Sequence, residues 1–134
     1  DGYARIALTG VFGDRLDHSL SNLAIALRWS EKVELVLVAG RSVLEVVAGT
    51  VHFPATPGAV ISLYGFSGTL RVTTDGFGYP LADEPLVFGE RESTSNVAVA
   101  AEVGLAVSGG RLFVVRDIDE VRVSGWIHRG AGTA

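Results

Sequence analysis

The sequence of 134 residues contains no cysteine, which excludes disulfide bonds, thiolate zinc sites and a cysteine nucleophile. Basic residues are few: 11 Lys and Arg stand against 15 Asp and Glu, so the net charge is −4. The chain therefore lacks the positive surface on which a nucleic-acid-binding protein depends. It also lacks a signal peptide and any apolar run near the roughly 20 residues of a transmembrane helix. These absences predict a cytoplasmic domain with no nucleic-acid or membrane partner.

Methionine is absent as well, and the first residue is Asp1. Because translation starts with methionine, we expect the chain to be part of a longer protein. Its composition suits a folded core, since apolar residues make up 48% of the sequence and charged residues 19%. This balance excludes a disordered chain.

Residues 1–31 predict a strand, a polar loop and a helix. Residues 4–8 are apolar and end at a Thr-Gly pair. From residue 18 to residue 30, apolar side chains recur at positions 20, 23, 24 and 27, which is one stripe of an amphipathic helix. Asp17 or Ser19 is the expected N-cap. A strand–loop–helix unit cannot cover its own apolar faces, so these residues are expected to end an α/β domain.

The rest of the chain predicts β structure. Most of the 19 valines follow residue 32, and β-branched side chains favour strands. Short apolar runs alternate with Gly and Pro turn signals about every ten residues, which is typical of an antiparallel sandwich or barrel. Residues 105–107 and 112–114 flank Ser-Gly-Gly-Arg and predict a hairpin. Residues 97–102 and 121–127 predict two further strands.

The predicted fold class is therefore mainly β. An antiparallel, jelly-roll-like β-sandwich is expected over residues 32–128. It is preceded by the strand–loop–helix remnant of an α/β domain and followed by a flexible tail over residues 129–134. The segment of residues 18–30 is the one expected helix.

The loop before this helix concentrates charged side chains: Asp14, Arg15, Asp17 and His18 lie within five positions. An arginine at a helix N-terminus favours a phosphate, and carboxylates suit a Mg²⁺ ion that accompanies it. Spacing alone leaves a structural interpretation open. In that interpretation Asp17 caps the helix, Arg15 pairs with Asp14, and His18 is solvated.

Two segments resemble a known family. Residues 10–22 read Gly-Val-Phe-Gly-Asp-Arg-Leu-Asp-His-Ser-Leu-Ser-Asn and resemble the thiamine pyrophosphokinase signature G-x-x-G-G-R-x-D-H-x-L-x-N, with Asp14 in place of a glycine. Residues 73–81 and 93–96 are similar to the T-T-x-G-L-x-(aromatic)-x-L and S-x-S-N elements of the same family, in the same order. Residues 61–63 match its V-S-L strand.

The resemblance implies an enzyme that transfers the diphosphate of ATP to the hydroxyl of thiamine and releases thiamine diphosphate and AMP. It implies that Arg15 and Asp17 act in catalysis, and that Asp17 is a candidate Mg²⁺ ligand. The ATP-binding positions that it implies are Gly13, Arg15, His18 and Asn22. The principal Mg²⁺-binding carboxylates of the family would lie upstream of residue 1. This chain alone is therefore not expected to catalyse the reaction.

The resemblance also implies how thiamine is held. Tyr79 stands at the family's aromatic position and is expected to stack on the thiamine ring. Ser93, Ser95 and Asn96 are expected to bind the pyrimidine. A homodimer through the β domain is implied, with thiamine between the subunits.

Other interpretations stay open. Asp14 favours a non-catalytic small-molecule-binding or dimerisation module, and a carbohydrate-binding sandwich is a weaker option. Tyr79 can be a half-buried sheet residue, and residues 93–96 a polar turn that bonds its own backbone. Trp29 is expected to pack against the β body, and Trp126 to face the core or a subunit contact. His52 and His128 lack metal-ligand spacing.

Overall fold

The structure is a computed structural model that describes residues 5–10 and 12–127. Residue 4, Val11, His128 and the tail predicted at 129–134 lie outside the described residues. The elements follow in the order β1 (Arg5–Thr9), α1 (Leu16–Trp29), β2 (Glu34–Ala39), β3 (Ser42–Pro54), β4 (Val60–Gly65), β5 (Arg71–Asp75), β6 (Glu84–Pro85), β7 (Ser93–Val97), β8 (Glu102–Asp117) and α2 (Ile118–Ser124). Within the described residues, neither helix is long and apolar enough to span a bilayer.

The eight strands of the described residues form one hydrogen-bonded sheet. β1 and β2 pair in parallel, and every other pairing is antiparallel. The sheet runs without interruption from β1 through β2 to β3. The strand and helix predicted before residue 31 are thus present, while the domain boundary at that residue stays a prediction.

Two long strands, β3 and β8, pair with each other along most of their length. On its other edge, β3 pairs with β2. The first half of β8 pairs with β5, and its second half pairs with β4. The main apolar core takes side chains from the strands that pair with each half of β8, including the fully buried Ile61 and Leu63 of β4 and Val72 of β5. Burial of each such side chain contributes about 1.5–3 kcal/mol. The prediction of a mainly β fold is confirmed.

The hairpin predicted around residues 108–111 is wrong, because β8 continues through these residues. Gly109 has φ +73°, and a Cβ there would lie 2.0 Å from the carbonyl oxygen of Thr69. The hydroxyls of Ser67 and Thr69 both donate to the Gly109 carbonyl, at 2.9 and 2.6 Å. The glycines therefore let a neighbouring turn approach β8 where the strand changes partners, instead of closing a hairpin.

α1 begins two residues earlier than predicted, and neither expected residue caps it. Its N-cap is Arg15, which makes no side-chain capping hydrogen bond. Asp17 accepts from the His18 amide at 2.9 Å, and the Ser19 hydroxyl donates to the Arg15 carbonyl at 3.3 Å. Trp29 is 48% exposed, with the Lys32 ammonium 5.1 Å from its ring centroid. The prediction that it packs against the β body is wrong.

One helix covers each face of β2. Ala26 of α1 packs over Leu35 and Leu37. α2 places Val121 on the other face, where Trp126 is half-buried against the same cluster. Trp126 therefore faces an apolar cluster, as one of the two interpretations had it.

The strand predicted at residues 121–127 is wrong, because most of this segment belongs to α2. The Asp117 side chain accepts from the Asp119 amide at 2.8 Å and caps the helix. Gly125 follows the last turn with φ +85°. An Asp cap, acidic residues in the first turn and a terminal glycine are helix signals. The alternation of valines outweighed them in the sequence analysis.

A buried ion pair joins β3, β8 and the segment after α2. The side chains of Glu45 and Arg116 are only 4% and 1% exposed and hydrogen-bond to each other. Glu45 also accepts from the Ile127 amide at 2.7 Å, and Arg116 donates to the Gly125 carbonyl at 3.1 Å. The guanidinium lies 5.2 Å from the centroid of the Phe53 ring. The pair therefore ties the end of the described chain to the sheet.

We expect Glu45→Gln to destabilise the fold strongly, because the buried Arg116 guanidinium loses the carboxylate to which it is hydrogen-bonded. The expected loss is about 3–5 kcal/mol of unfolding free energy, measured by urea denaturation. The matched control is Glu31→Gln, which removes an exposed partner of Arg111 and should cost less than about 1 kcal/mol. Equal losses for the two variants would contradict this role for the buried pair.

Candidate functional site

The polar loop between β1 and α1 lines an open cleft of about 260 Å³. Its walls are formed by Gly10, Phe12, Gly13, Asp14, Arg15, His18 and Asn22. All four positions expected to bind ATP lie on this cleft. The N-terminal amide groups of α1 begin here, and such groups attract anions.

Within this loop, Arg15 pairs with Asp17 and not with Asp14. The Arg15 Nε and Nη2 atoms donate to the two carboxylate oxygens of Asp17 at 3.2 and 2.7 Å. The Arg15 guanidinium lowers the pKa of the Asp17 carboxyl below its ordinary value, so this carboxyl is ionised at neutral pH. Both side chains are about two-thirds exposed, which leaves the guanidinium open to an incoming anion.

The second candidate site begins at an irregularity between β4 and β7. Asn96 lies opposite Ile61, but Ser93 lies opposite Leu63. Two residues of β7 therefore face the single residue Ser62, which is a β-bulge. The strand predicted at residues 97–102 is wrong, since the strand ends where that segment was expected to start.

Hydroxyl groups of β4 hold this bulge. Ser95 has φ +57°, and its amide donates to the Ser62 hydroxyl at 2.9 Å. The Thr94 hydroxyl lies 3.0 Å from the Tyr64 hydroxyl and donates to it. The roles of Ser62 and Tyr64 are not among the sequence predictions, although Ser62 is the serine of the V-S-L strand and was a possible signal. The bulge leaves Ser95 exposed, and its hydroxyl has no hydrogen-bond partner among the described residues.

Asn96 is only 1% exposed and connects the bulge to the loop that carries Tyr79. Its Oδ1 accepts from the amides of Tyr79 and Val97, both at 2.9 Å. Its Nδ2 donates to the Tyr79 carbonyl at 2.7 Å and to the Ser93 hydroxyl at 3.0 Å. A carboxamide offers two donors and two acceptor lone pairs, and all four are used. Asn96 therefore positions Tyr79 and Ser93, and in this conformation has no hydrogen-bonding group left for a ligand.

Tyr79 is 69% exposed, although its backbone is fixed on both sides by Asn96. It borders an open cleft of about 410 Å³, whose other walls are Pro80, Leu81, Arg91, Glu92, Ser93 and Thr94. The interpretation of Tyr79 as a half-buried sheet residue is thus wrong. An exposed aromatic ring beside hydroxyl groups suits a flat ligand with polar edges.

The two clefts have no wall residue in common. They are nevertheless associated with one face of the sheet. Leu44 of β3 packs with α1. Leu44 lies opposite Val115 of β8, and Val115 lies opposite Ser62 of β4, which binds the bulge. Directly opposed side chains of neighbouring antiparallel strands project on the same face. α1 and the residues that hold the bulge therefore share a face of the sheet.

We expect Asn96→Ala to loosen the Tyr79 loop, because the substitution leaves partly buried backbone groups of Tyr79 and Val97 unpaired. The expected loss is about 1–3 kcal/mol of unfolding free energy, together with faster hydrogen exchange at the Tyr79 amide. Ser95→Ala is the control, since the Ser95 hydroxyl has no partner in the described part of the chain. Equal stability of the two variants and unchanged exchange at Tyr79 would contradict the positioning role.

A known protein family matches the segment that carries the second candidate site. Residues 50–112, which include the bulge and Tyr79, match the family described as thiamin pyrophosphokinase, vitamin B1 binding domain. A search of curated proteins finds no match.

Solved structures share the fold. The thiamine pyrophosphokinase of Bacillus subtilis superposes with a TM-score of 0.76 at 22% identity, over 85% of this chain and 55% of that one. The thiamin pyrophosphokinase of Geobacillus thermodenitrificans gives 0.75 at 27% identity, over 87% and 55%. That of Candida albicans gives 0.75 at 13% identity, over 87% and 45%. The chain spans about half the length of these relatives. Residues 50–112 are thus similar to the vitamin B1 binding domain of the thiamin pyrophosphokinase family, and the described chain shares the fold of solved thiamin pyrophosphokinases.

Proposed function

We propose that this chain supplies the thiamine-binding domain and the phosphate-binding loop of a thiamine pyrophosphokinase. The observation that carries the proposal is the exposed ring of Tyr79, whose backbone Asn96 holds while also binding Ser93. This arrangement lies within the segment that matches the vitamin B1 binding family. The enzyme would transfer the β,γ-diphosphate of ATP to thiamine.

Thiamine is a flat cation with an aminopyrimidine edge. The face of Tyr79 attracts such a ring by stacking and cation–π contact. The Ser95 hydroxyl is exposed, and the Ser93 hydroxyl, which accepts from Asn96, still has its proton to donate. The Ser93 hydroxyl can bind the pyrimidine from the wall of the cleft, and the Ser95 hydroxyl, which is not a cleft wall, would reach the ligand from the adjoining bulge. Asn96 acts by holding Ser93 and Tyr79 in place.

The loop before α1 would bind the phosphates of ATP. Arg15 offers a planar guanidinium at the start of the helix, where amide groups also favour an anion. A phosphate would compete with Asp17 for this guanidinium. Gly13 leaves room at the cleft wall, since no atom lies within 4 Å of the position a Cβ would take. Asp14 lines the same cleft, and its negative charge would weaken ATP binding.

The reaction requires an in-line displacement at phosphorus. The hydroxyethyl oxygen of thiamine forms a bond to the β-phosphorus, and the bond from this phosphorus to the α,β-bridging oxygen breaks. AMP leaves with that oxygen, and the hydroxyl proton passes to a base or to water. Arg15 would offset charge on the phosphoryl oxygens, and Asp17, once released from Arg15, would orient the attacking hydroxyl.

A Mg²⁺ ion accompanies ATP in such reactions and neutralises phosphate charge. Among the described residues, no three His, Asp or Glu side chains come together as a metal site. Both carboxylate oxygens of Asp17 already accept from Arg15. The described residues therefore do not form a metal site of their own, and Asp17 is the one carboxylate proposed to reach the ion.

The proposal includes a homodimer that works in the cytoplasm. Because the Tyr79 cleft and the Arg15 cleft share no wall residue within one chain, a second copy is the means by which they would face each other. The contact would be made through the β domain, where large apolar side chains such as Phe88 and Val99 are more than half exposed.

We expect Tyr79→Ala to raise the Kd for thiamine about tenfold, since about 0.5–2 kcal/mol of ring contact is lost. Isothermal titration calorimetry measures this, with Tyr79→Trp retaining affinity and Trp29→Ala as an exposed aromatic control. The melting temperature should not change, because the Tyr79 side chain is mostly exposed. A lower melting temperature without any thiamine binding by the parent chain would favour the purely structural module.

We expect Arg15→Gln to raise the Kd for ATP about tenfold, because a charge-assisted contact to phosphate is lost. Arg28→Gln, in the last turn of the same helix, should leave the Kd unchanged. In an enzyme that joins this chain to the upstream carboxylates proposed for catalysis, Arg15→Gln should also reduce thiamine-dependent formation of AMP. Equal behaviour of the two variants, or no AMP from the unmodified enzyme, would contradict the proposed activity.

A further inference from the structure

The Tyr79 cleft contains two charged residues that neither the sequence motifs nor the proposed function has used, Arg91 and Glu92. Arg91 is neutralised by its neighbour Glu84. The Arg91 Nη1 atom donates to Glu84 Oε1 at 2.5 Å, and the other oxygen of Glu84 accepts from the Ala82 amide at 2.9 Å. The Arg91 guanidinium holds the pKa of Glu84 below its ordinary value. Arg91 and Glu84 are thus both ionised, and together they have no net charge.

Glu92 has no such neighbour. Its side chain is exposed, and it makes no ion pair or side-chain hydrogen bond within residues 5–10 and 12–127. Since Arg91 and Glu84 cancel, Glu92 leaves an uncompensated negative charge in the wall of the cleft that Tyr79 borders. The hydroxyl of its neighbour Ser93 accepts from the buried Asn96, so Glu92 directly precedes a residue that Asn96 positions.

We propose that the Glu92 carboxylate makes this cleft selective for a cationic ring, namely the thiazolium of thiamine over an uncharged analogue of the same shape. The proposal rests on the proposed function, because it assigns a determinant within the thiamine cleft. The aromatic face of Tyr79 and the carboxylate of Glu92 act in the same direction, since both attract an organic cation. Ser93 and Ser95 contribute equally to charged and uncharged ligands, because a hydroxyl contacts the pyrimidine edge in both.

Two ligands separate these contributions. Thiamine carries the thiazolium charge, and thiamine thiazolone has the same two rings without it. We expect Glu92→Gln to raise the Kd for thiamine about three- to tenfold, the range of a partly screened charge pair. The Kd for thiamine thiazolone should stay within experimental error. Raising the salt concentration to about 1 M should weaken thiamine binding to the parent chain more than to Glu92→Gln.

Glu90→Gln is the matched control, because Glu90 is an exposed carboxylate two residues away that does not line the cleft. Calorimetry is done on the 134-residue chain, and the melting temperature of each variant is measured alongside. If the parent chain binds thiamine but Glu92→Gln binds it equally well, the proposed selectivity is overturned while the proposed function stands. If the parent chain binds neither ligand, both are overturned. Equal weakening for the two ligands would show that Glu92 acts on shape and not on charge.

Discussion

The carboxamide of Asn96 is the contact on which the candidate site depends. It is buried, and its four hydrogen bonds join a bulged strand to the loop that carries Tyr79. The Tyr79 ring is exposed, so packing of the ring cannot fix its position. Serine or aspartate could not replace Asn96, because neither has two donors and two acceptors on so short a stem. A rigid backbone under an exposed ring is what a stacking site requires.

The framework that presents this contact is a sheet folded around two long strands. β8 pairs with β5 in its first half and with β4 in its second half. Where the pairing partner changes, Gly109 allows the turn at Thr69 to lie close against β8. β7 lies at one end of the sheet path, where the Gly78 amide donates to the Val97 carbonyl at 2.8 Å. On the side of the sheet that includes β2, the hydrogen bonds of Glu45 and Arg116 attach the segment after α2 to the sheet. The site thus lies at a sheet margin, on a core that burial of apolar side chains stabilises.

Sequence reasoning predicted the class of the fold, the first helix and the residues around both clefts, because periodicity and specific motifs report on local structure. It failed where a local signal had two meanings. The pair Gly109-Gly110 is equally compatible with a hairpin and with a bend in one strand, and only the partners across the sheet decide between them. Valines 121 and 123 alternate as in a strand, although Asp117 and Gly125 bracket a helix. The saturation of Asn96 was not predictable, since it depends on a backbone 17 positions away.

The central claim is that thiamine binds on the surface that Asn96 organises. It is tested most directly by titrating thiamine into the ¹⁵N-labelled chain and following backbone amide shifts by NMR. The account predicts that the largest shifts fall on Tyr79 and on residues 92–97, with smaller changes along β4. Shifts concentrated on the face of β5 and the first half of β8, with residues 92–97 unmoved at saturating thiamine, would contradict it.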